Sequence, residues 1–125
     1  MKASFRYVGI RVCDLERSTD FYSQLLGMRV IGRLRIPETK GEVVNLESEK
    51  GGFNLELNWY EKDSPYNSAY TPGEGLDHLA FKVDDLTKAL AEAEVAGYPT
   101  ILEVKAGKSR WAYIEDPDGN WIELW

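Results

Sequence analysis

The sequence predicts an α+β fold of two tandem βαβββ modules with pseudo-twofold symmetry. Three observations carry that expectation. First, residues 7–15 and 78–86 are near-copies. Tyr7 falls on His78, Arg11 on Lys82, Val12 on Val83, Asp14 on Asp85 and Leu15 on Leu86, at an offset of 78 − 7 = 71. Second, each copy runs into a helical pattern that stops at a glycine, Gly27 and Gly97, at an offset of 97 − 27 = 70. Third, Leu55-Glu56-Leu57 matches Ile122-Glu123-Leu124 at an offset of 123 − 56 = 67. Helix starts, glycine stops and final glutamates in step are the mark of an internal repeat. The 125 residues suit one domain. Within it, module one takes residues 1–60, a linker 61–75, and module two 76–125.

In chain order, residues 5–13 alternate. Arg6, Val8, Ile10 and Val12 share one face of a strand, and Phe5, Tyr7, Gly9 and Arg11 the other. Asp14 suits a helix N-cap. Leu15, Ser18, Thr19, Tyr22, Leu25 and Leu26 then recur at helical spacing up to Gly27, a natural C-cap. Residues 28–36, 42–47 and 53–59 read as strands. They are separated by Pro37-Glu38-Thr39-Lys40-Gly41 and by Lys50-Gly51-Gly52. In the third, Phe53, Leu55, Leu57 and Trp59 alternate with Asn54, Glu56 and Asn58. Residues 60–75 concentrate turn formers and form the linker.

Module two repeats the plan. A strand at 76–83 sets His78, Ala80 and Lys82 against Leu79, Phe81 and Val83. Asp85 caps a helix with Leu86, Ala89, Leu90 and Ala93 on one side. Strands follow at 100–104 and 110–115. Asp116-Pro117-Asp118-Gly119 is a strong turn signal, and it delivers the last strand at 120–125.

Composition excludes several classes. Fifteen basic residues against twenty-one acidic ones give a net charge of −6. That opposes nonspecific binding to nucleic acid or an anionic membrane. No apolar run approaches the roughly 18 residues of a membrane span, and Met1-Lys2-Ala3-Ser4 leads into a strand pattern rather than a signal peptide. The expected setting is the reducing cytoplasm. Cys13 is the single cysteine. Disulfides within the chain and cysteine-held zinc are therefore excluded, and Cys13 is expected buried or half-buried at a strand end.

The repeat also gathers chemistry. The first and last strands of each module carry Tyr7, Glu56, His78 and Glu123, while their apolar neighbours face a helix-covered core. Taken singly, such residues are usually solvated; the repeat places the four together for an independent reason. One imidazole and two carboxylates suit a divalent metal with open positions, the pattern of a catalytic site. Tyr7 is the weak member. It would have to lose a phenol proton to ligate strongly, or else hydrogen-bond a water on the metal. Trp111, Trp121 and Trp125 give the same side an aromatic character common in pockets.

These residues carry a resemblance. Residues 10–18, Asp20-Phe21-Tyr22, Leu26-Gly27-Met28, Leu55-Glu56-Leu57, Asp77-His78-Leu79-Ala80 and residues 115–124 resemble the vicinal oxygen chelate superfamily, and within it glyoxalase I (lactoylglutathione lyase). The resemblance runs nearly end to end. It implies the glyoxalase/bleomycin resistance fold and a metal held by histidine, glutamate, histidine and glutamate. Glu56, His78 and Glu123 match three of these; Tyr7 stands where the first histidine would be. It further implies one divalent ion per site (Ni, Zn, Co or Mn) and a small 2-oxoaldehyde–thiol adduct, such as a glutathione adduct, as substrate. The reaction passes through an enediolate. Glu123 is the expected proton-transfer base, with Glu56 on the opposite side. Arg11, Asn58 and Lys105 would contact the substrate, alongside Trp111 and Trp121 on the aromatic side. Relatives of this kind are mostly homodimers, often with modules exchanged between chains.

Two other readings stay open. One is a metal-free small-molecule binding protein of the bleomycin-resistance type, for which the tryptophans and Tyr7 are suited. The other is a domain whose pocket is vestigial and whose role is dimerisation. Extradiol dioxygenase, fosfomycin-modifying and methylmalonyl-CoA epimerase chemistries use a second histidine, which this chain lacks.

Overall fold

A computed structural model describes residues 1–2, 7–50, 52–74, 76 and 78–125. It divides into two compact units, Met1–Tyr70 and Thr71–Trp125. Each has the order βαβββ and a four-stranded sheet. The expected α+β fold of two βαβββ modules is the fold observed.

Unit one holds β1 (Tyr7–Arg11), α1 (Leu15–Asp20), β2 (Arg29–Ile36), β3 (Gly41–Glu47) and β4 (Asn54–Tyr60), with sheet order β1-β4-β3-β2. β1 and β4 run parallel; the remaining neighbours are antiparallel. The residues facing α1 are apolar by alternation. Val44 pairs with Leu57 and Leu46 with Leu55, and all four are buried. Phe21 and Tyr22 complete this core at 2% and 0% exposure, ring edge to ring face. Each such side chain contributes about 1.5–3 kcal/mol of burial. Arg33 on β2 reaches Glu16 on α1 and Glu42 on β3, tying the helix to the sheet edge.

Asp14 caps α1, its carboxylate accepting from the Arg17 N–H at 3.0 Å. The α-helix expected to run to Gly27 changes character at Phe21. Phe21–Leu25 is a π-helical turn, in which the Leu26 N–H reaches the Phe21 carbonyl. A π turn is one extra residue accommodated in an α-helix. Here the extra residue accounts for the drift of the repeat offset from 71 at the caps to 70 at the glycines. Gly27, at φ +69°, closes the helix in the left-handed region.

Unit two holds β5 (His78–Phe81), α2 (Leu86–Val95), β6 (Leu102–Ala106), β7 (Ser109–Glu115) and β8 (Trp121–Leu124), in the order β5-β8-β7-β6. Asp85 caps α2 through the Lys88 N–H at 3.0 Å, and Gly97 ends it at φ +90°. Ala112, Ile114, Ile122 and Leu124 are buried on the helix side. Arg110, which shares that side of β7, donates to Thr87 on α2 at 2.8 Å.

The repeat reaches into the hydrogen-bond register. Tyr7 stands opposite Asn54 and Gly9 opposite Glu56; His78 stands opposite Trp121 and Ala80 opposite Glu123. These are equivalent positions in both sheets. The turn before β8 is built by Asp116. Its carboxylate accepts from the Asp118 N–H at 2.9 Å, the Asn120 N–H at 2.8 Å and Asn120 Nδ2 at 2.8 Å. Gly119 supplies the left-handed residue at φ +83°.

Four local expectations are corrected. Cys13 is exposed, because Val12 before it turns into the core at 3% exposure and the chain alternates. Phe53 is exposed as well; it precedes β4 and stays out of the sheet. Leu25 and Leu26 are only half-buried, since the π turn rotates them off the core stripe. The strand expected at 100–104 begins later, at Leu102. Phe5 and Arg6 of the first expected strand, Gly51 of the second turn, Gly75 of the linker and Asp77 beside His78 lie outside the described residues.

Candidate functional site

The face of each sheet opposite its helix carries the expected site residues. In unit two, alternation puts His78, Ala80, Trp121, Glu123, Trp111 and Tyr113 on that face. His78 Nε2 lies 3.4 Å from Glu123 Oε2, with the side chains 34% and 19% exposed. The Tyr113 hydroxyl donates to the same Oε2 at 2.8 Å. The Tyr113 ring meets the His78 ring edge-on, centroids 5.7 Å apart, and lies 5.2 Å from the Trp121 ring. An imidazole, a carboxylate and a phenol therefore converge beside an indole. Lys82 and Trp125 continue the face, the ammonium 5.3 Å from the indole centroid.

In unit one the matching face carries Tyr7, Gly9 and Arg11 on β1 and Asn54, Glu56 and Asn58 on β4. Glu56 and Asn58 lean over Gly9. A Cβ there would lie 3.1 Å from Asn58 Nδ2 and 3.7 Å from Glu56 Oε1, so the missing side chain leaves room for both. Asn58 Nδ2 also donates to its strand neighbour, the Glu56 carbonyl, at 3.3 Å. Tyr7 is 51% exposed. Arg11 is engaged by the segment after β4. Its guanidinium donates to Ser68 Oγ at 2.7 Å and to the Ala69 carbonyl at 3.2 Å, and lies over the Tyr70 ring.

His78 and Glu123 are thus brought together in unit two, with Trp121 and Trp111 on their face. Tyr7, Glu56, Asn58 and Arg11 share the corresponding face of unit one. Lys105 stands on the other face of its sheet. It is in register with Arg110, 3.6 Å from Glu103, and 73% exposed at its side chain. Among the described residues no group of three or more histidine, cysteine, aspartate or glutamate side chains gathers; of the expected metal ligands, Glu56 and the weak Tyr7 belong to unit one, His78 and Glu123 to unit two. Tyr113 is the residue that sequence reasoning missed. Its signal was available: it alternates with Trp111 in a strand antiparallel to the one bearing Glu123.

The donor chemistry of the unit-two pair fits a divalent ion. Two atoms that each lie about 2.1 Å from one ion stand roughly 3.0–3.4 Å apart, from octahedral to tetrahedral geometry. His78 Nε2 and Glu123 Oε2 are separated by 3.4 Å. One nitrogen and one carboxylate oxygen match a borderline cation.

The family model of the glyoxalase/bleomycin resistance protein/dioxygenase superfamily matches residues 4–124. The chain belongs to this superfamily. Among superfamily members, the lactoylglutathione lyase of Pseudomonas aeruginosa is 34% identical over 96% of this chain and 80% of its own length. Lactoylglutathione lyase GLX1 of Arabidopsis thaliana is 33% identical over 96% of this chain, which spans 43% of that longer protein. The trypanothione-dependent glyoxalase I of Leishmania major superposes with a TM-score of 0.80 at 32% identity. That match covers 98% of this chain and 86% of the other. No helix among the described residues is long and apolar enough to cross a membrane.

Proposed function

We propose that this chain is a glyoxalase I-like, metal-dependent lyase acting on a small 2-oxoaldehyde–thiol adduct. The observation that carries the reading is the His78–Glu123 pair, with two donor atoms 3.4 Å apart on one sheet face. Its relatives named lactoylglutathione lyase support the same chemistry. In this reading His78 and Glu123 hold one divalent ion, and Glu56 and Tyr7 are the candidate ligands that module one carries, Tyr7 weakly or through water. When bound, the ion supplies Lewis acidity toward the two adjacent oxygens of the substrate.

The chain's own residues do the rest. Glu123 takes the proton from the carbon that bears hydroxyl and sulfur, and returns it to the neighbouring carbon. The carbon skeleton gains and loses nothing: a hydroxyl and a carbonyl exchange places through an enediolate, and the product is a 2-hydroxy thioester. Trp111 and Trp121 wall the reacting carbons from water. Arg11 and Asn58 recognise the polar end of the thiol carrier. The working form is a homodimer, in a cytoplasm that supplies the thiol.

Metal analysis of the purified protein tests this first, on wild type and on Glu123→Gln and His78→Ala. Uptake near one ion per chain, weakened in both variants, is expected. Production of a thioester from methylglyoxal and glutathione, or from another low-molecular thiol, then follows. A wild-type protein that takes up no divalent ion would sink the metalloenzyme and leave metal-free ligand binding in its place.

A further inference from the structure

We infer that Tyr113 is a positioning residue for Glu123. The inference rests on the proposed metal-dependent reading for its consequence, and on the structure for its geometry. A glutamate on a half-exposed strand face has three side-chain torsions and no reason to keep one of them. Here the Tyr113 hydroxyl donates to Oε2 at 2.8 Å from the neighbouring antiparallel strand, where Tyr113 is the direct cross-strand partner of Glu123. The Tyr113 ring is itself held, edge-on to His78 and tilted against Trp121. A ring fixed on two sides makes a rigid donor.

Tyr113 and His78 both lie against Oε2. The phenol thus holds Oε2, the same oxygen that faces His78 Nε2, and fixes the direction in which this donor points. Outer hydrogen bonds of this kind orient ligating carboxylates and tune their donor strength. Module one has no counterpart: the residue in register with Glu56 is Asn45, a shorter side chain without a ring. The two glutamates of the repeat are therefore inequivalent, and the module-two glutamate is the pre-oriented one.

The test is Tyr113→Phe, which deletes one oxygen and keeps the ring contacts, so the fold is retained and thermal unfolding verifies it. Mn²⁺ affinity is measured by the loss of the free-ion paramagnetic resonance signal. Affinity is expected to fall about ten- to a hundredfold, the usual cost of losing an outer-shell partner. On a Glu123→Gln background the same change should alter affinity by less than about twofold, because the contact acts through the carboxylate. Crystal structures of metal-free wild type and Tyr113→Phe give a second measurement that needs no ion. Glu123 should occupy one conformer in the first and several in the second.

If Tyr113→Phe binds Mn²⁺ like wild type, or loses as much on the Glu123→Gln background, the inference is overturned. If wild type binds no divalent ion, the metalloenzyme reading fails separately, and the Glu123 conformers decide Tyr113. A single conformer in both proteins overturns the positioning role; one fixed conformer giving way to several supports it.

Discussion

Replacing Asp116 by alanine should cost the protein about 2–4 kcal/mol, and the figure can be worked from the turn. The carboxylate is 4% exposed and, among the described residues, accepts hydrogen bonds from three N–H donors of Asp118 and Asn120. Two come from Asn120, which is itself 3% exposed, through its backbone N–H and its side-chain amide. The third comes from the half-exposed Asp118, whose N–H water can serve after the change. Alanine thus takes this acceptor from two buried donors of Asn120, at about 1–3 kcal/mol for each buried group. Partial relaxation toward water brings the pair to the range stated. Urea unfolding followed by circular dichroism measures it, with an unchanged slope confirming that stability and not compactness has moved. A double-mutant cycle with Asn120→Ala should show strong coupling, since both residues sit in one network. A loss below about 0.5 kcal/mol, the level of an ordinary surface substitution, would refute the claim that this carboxylate organises the turn. Glu123 lies three residues beyond Asn120, so on the proposed metal-dependent function the same variant should also weaken metal uptake.

Two further outcomes are expected. Gly119→Ala should destabilise by about 1–2 kcal/mol, since φ +83° is a left-handed conformation and the new Cβ would press on Pro72 Cγ at 3.2 Å; the unfolding midpoint checks it. The exposed carboxylates Glu16, Glu103 and Asp63 are held below their ordinary values, chiefly by hydrogen bonds from Arg33, Arg110 and Lys40. A depressed folded value stabilises above the unfolded value and loses that contribution as pH falls. Stability should therefore decline as pH drops below about 4.5, and the decline should shrink in 1 M salt because these pairs are on the surface. A decline unaffected by salt would assign it to buried groups instead.

How much of this was legible beforehand follows from what each signal measures. Glu56 and Glu123 were visible because apolar neighbours on both sides fix which way a strand residue points. Asp14 and Asp85 were visible because a cap is local chemistry. The π turn at Phe21–Leu25 was present only as a one-residue slip in the repeat offset, and periodicity over a short helix cannot distinguish it from an ordinary C-terminal turn. Tyr113 was missed because its importance lies in cross-strand register. That register depends on where the Asp116 turn reverses the chain. Lys105 shows the same lesson from the other side: the family resemblance offered it as a substrate contact, while the pleat turns it to the face of Glu103 and Arg110.

The parallel pairing of β1 with β4 and of β5 with β8 has a consequence for how this chain tolerates change. In module one, 54 − 7 = 47 residues separate the partners Tyr7 and Asn54; in module two, 121 − 78 = 43 separate His78 and Trp121. The intervening path differs by four residues, yet the same two positions end side by side. Sequence distance along the detour is slack, and adjacency across the ladder is the ruler. A lengthened hairpin between β3 and β4 would lengthen the detour and leave Gly9 still facing Glu56. Diversity can accumulate in the connections while the facing pairs keep their geometry.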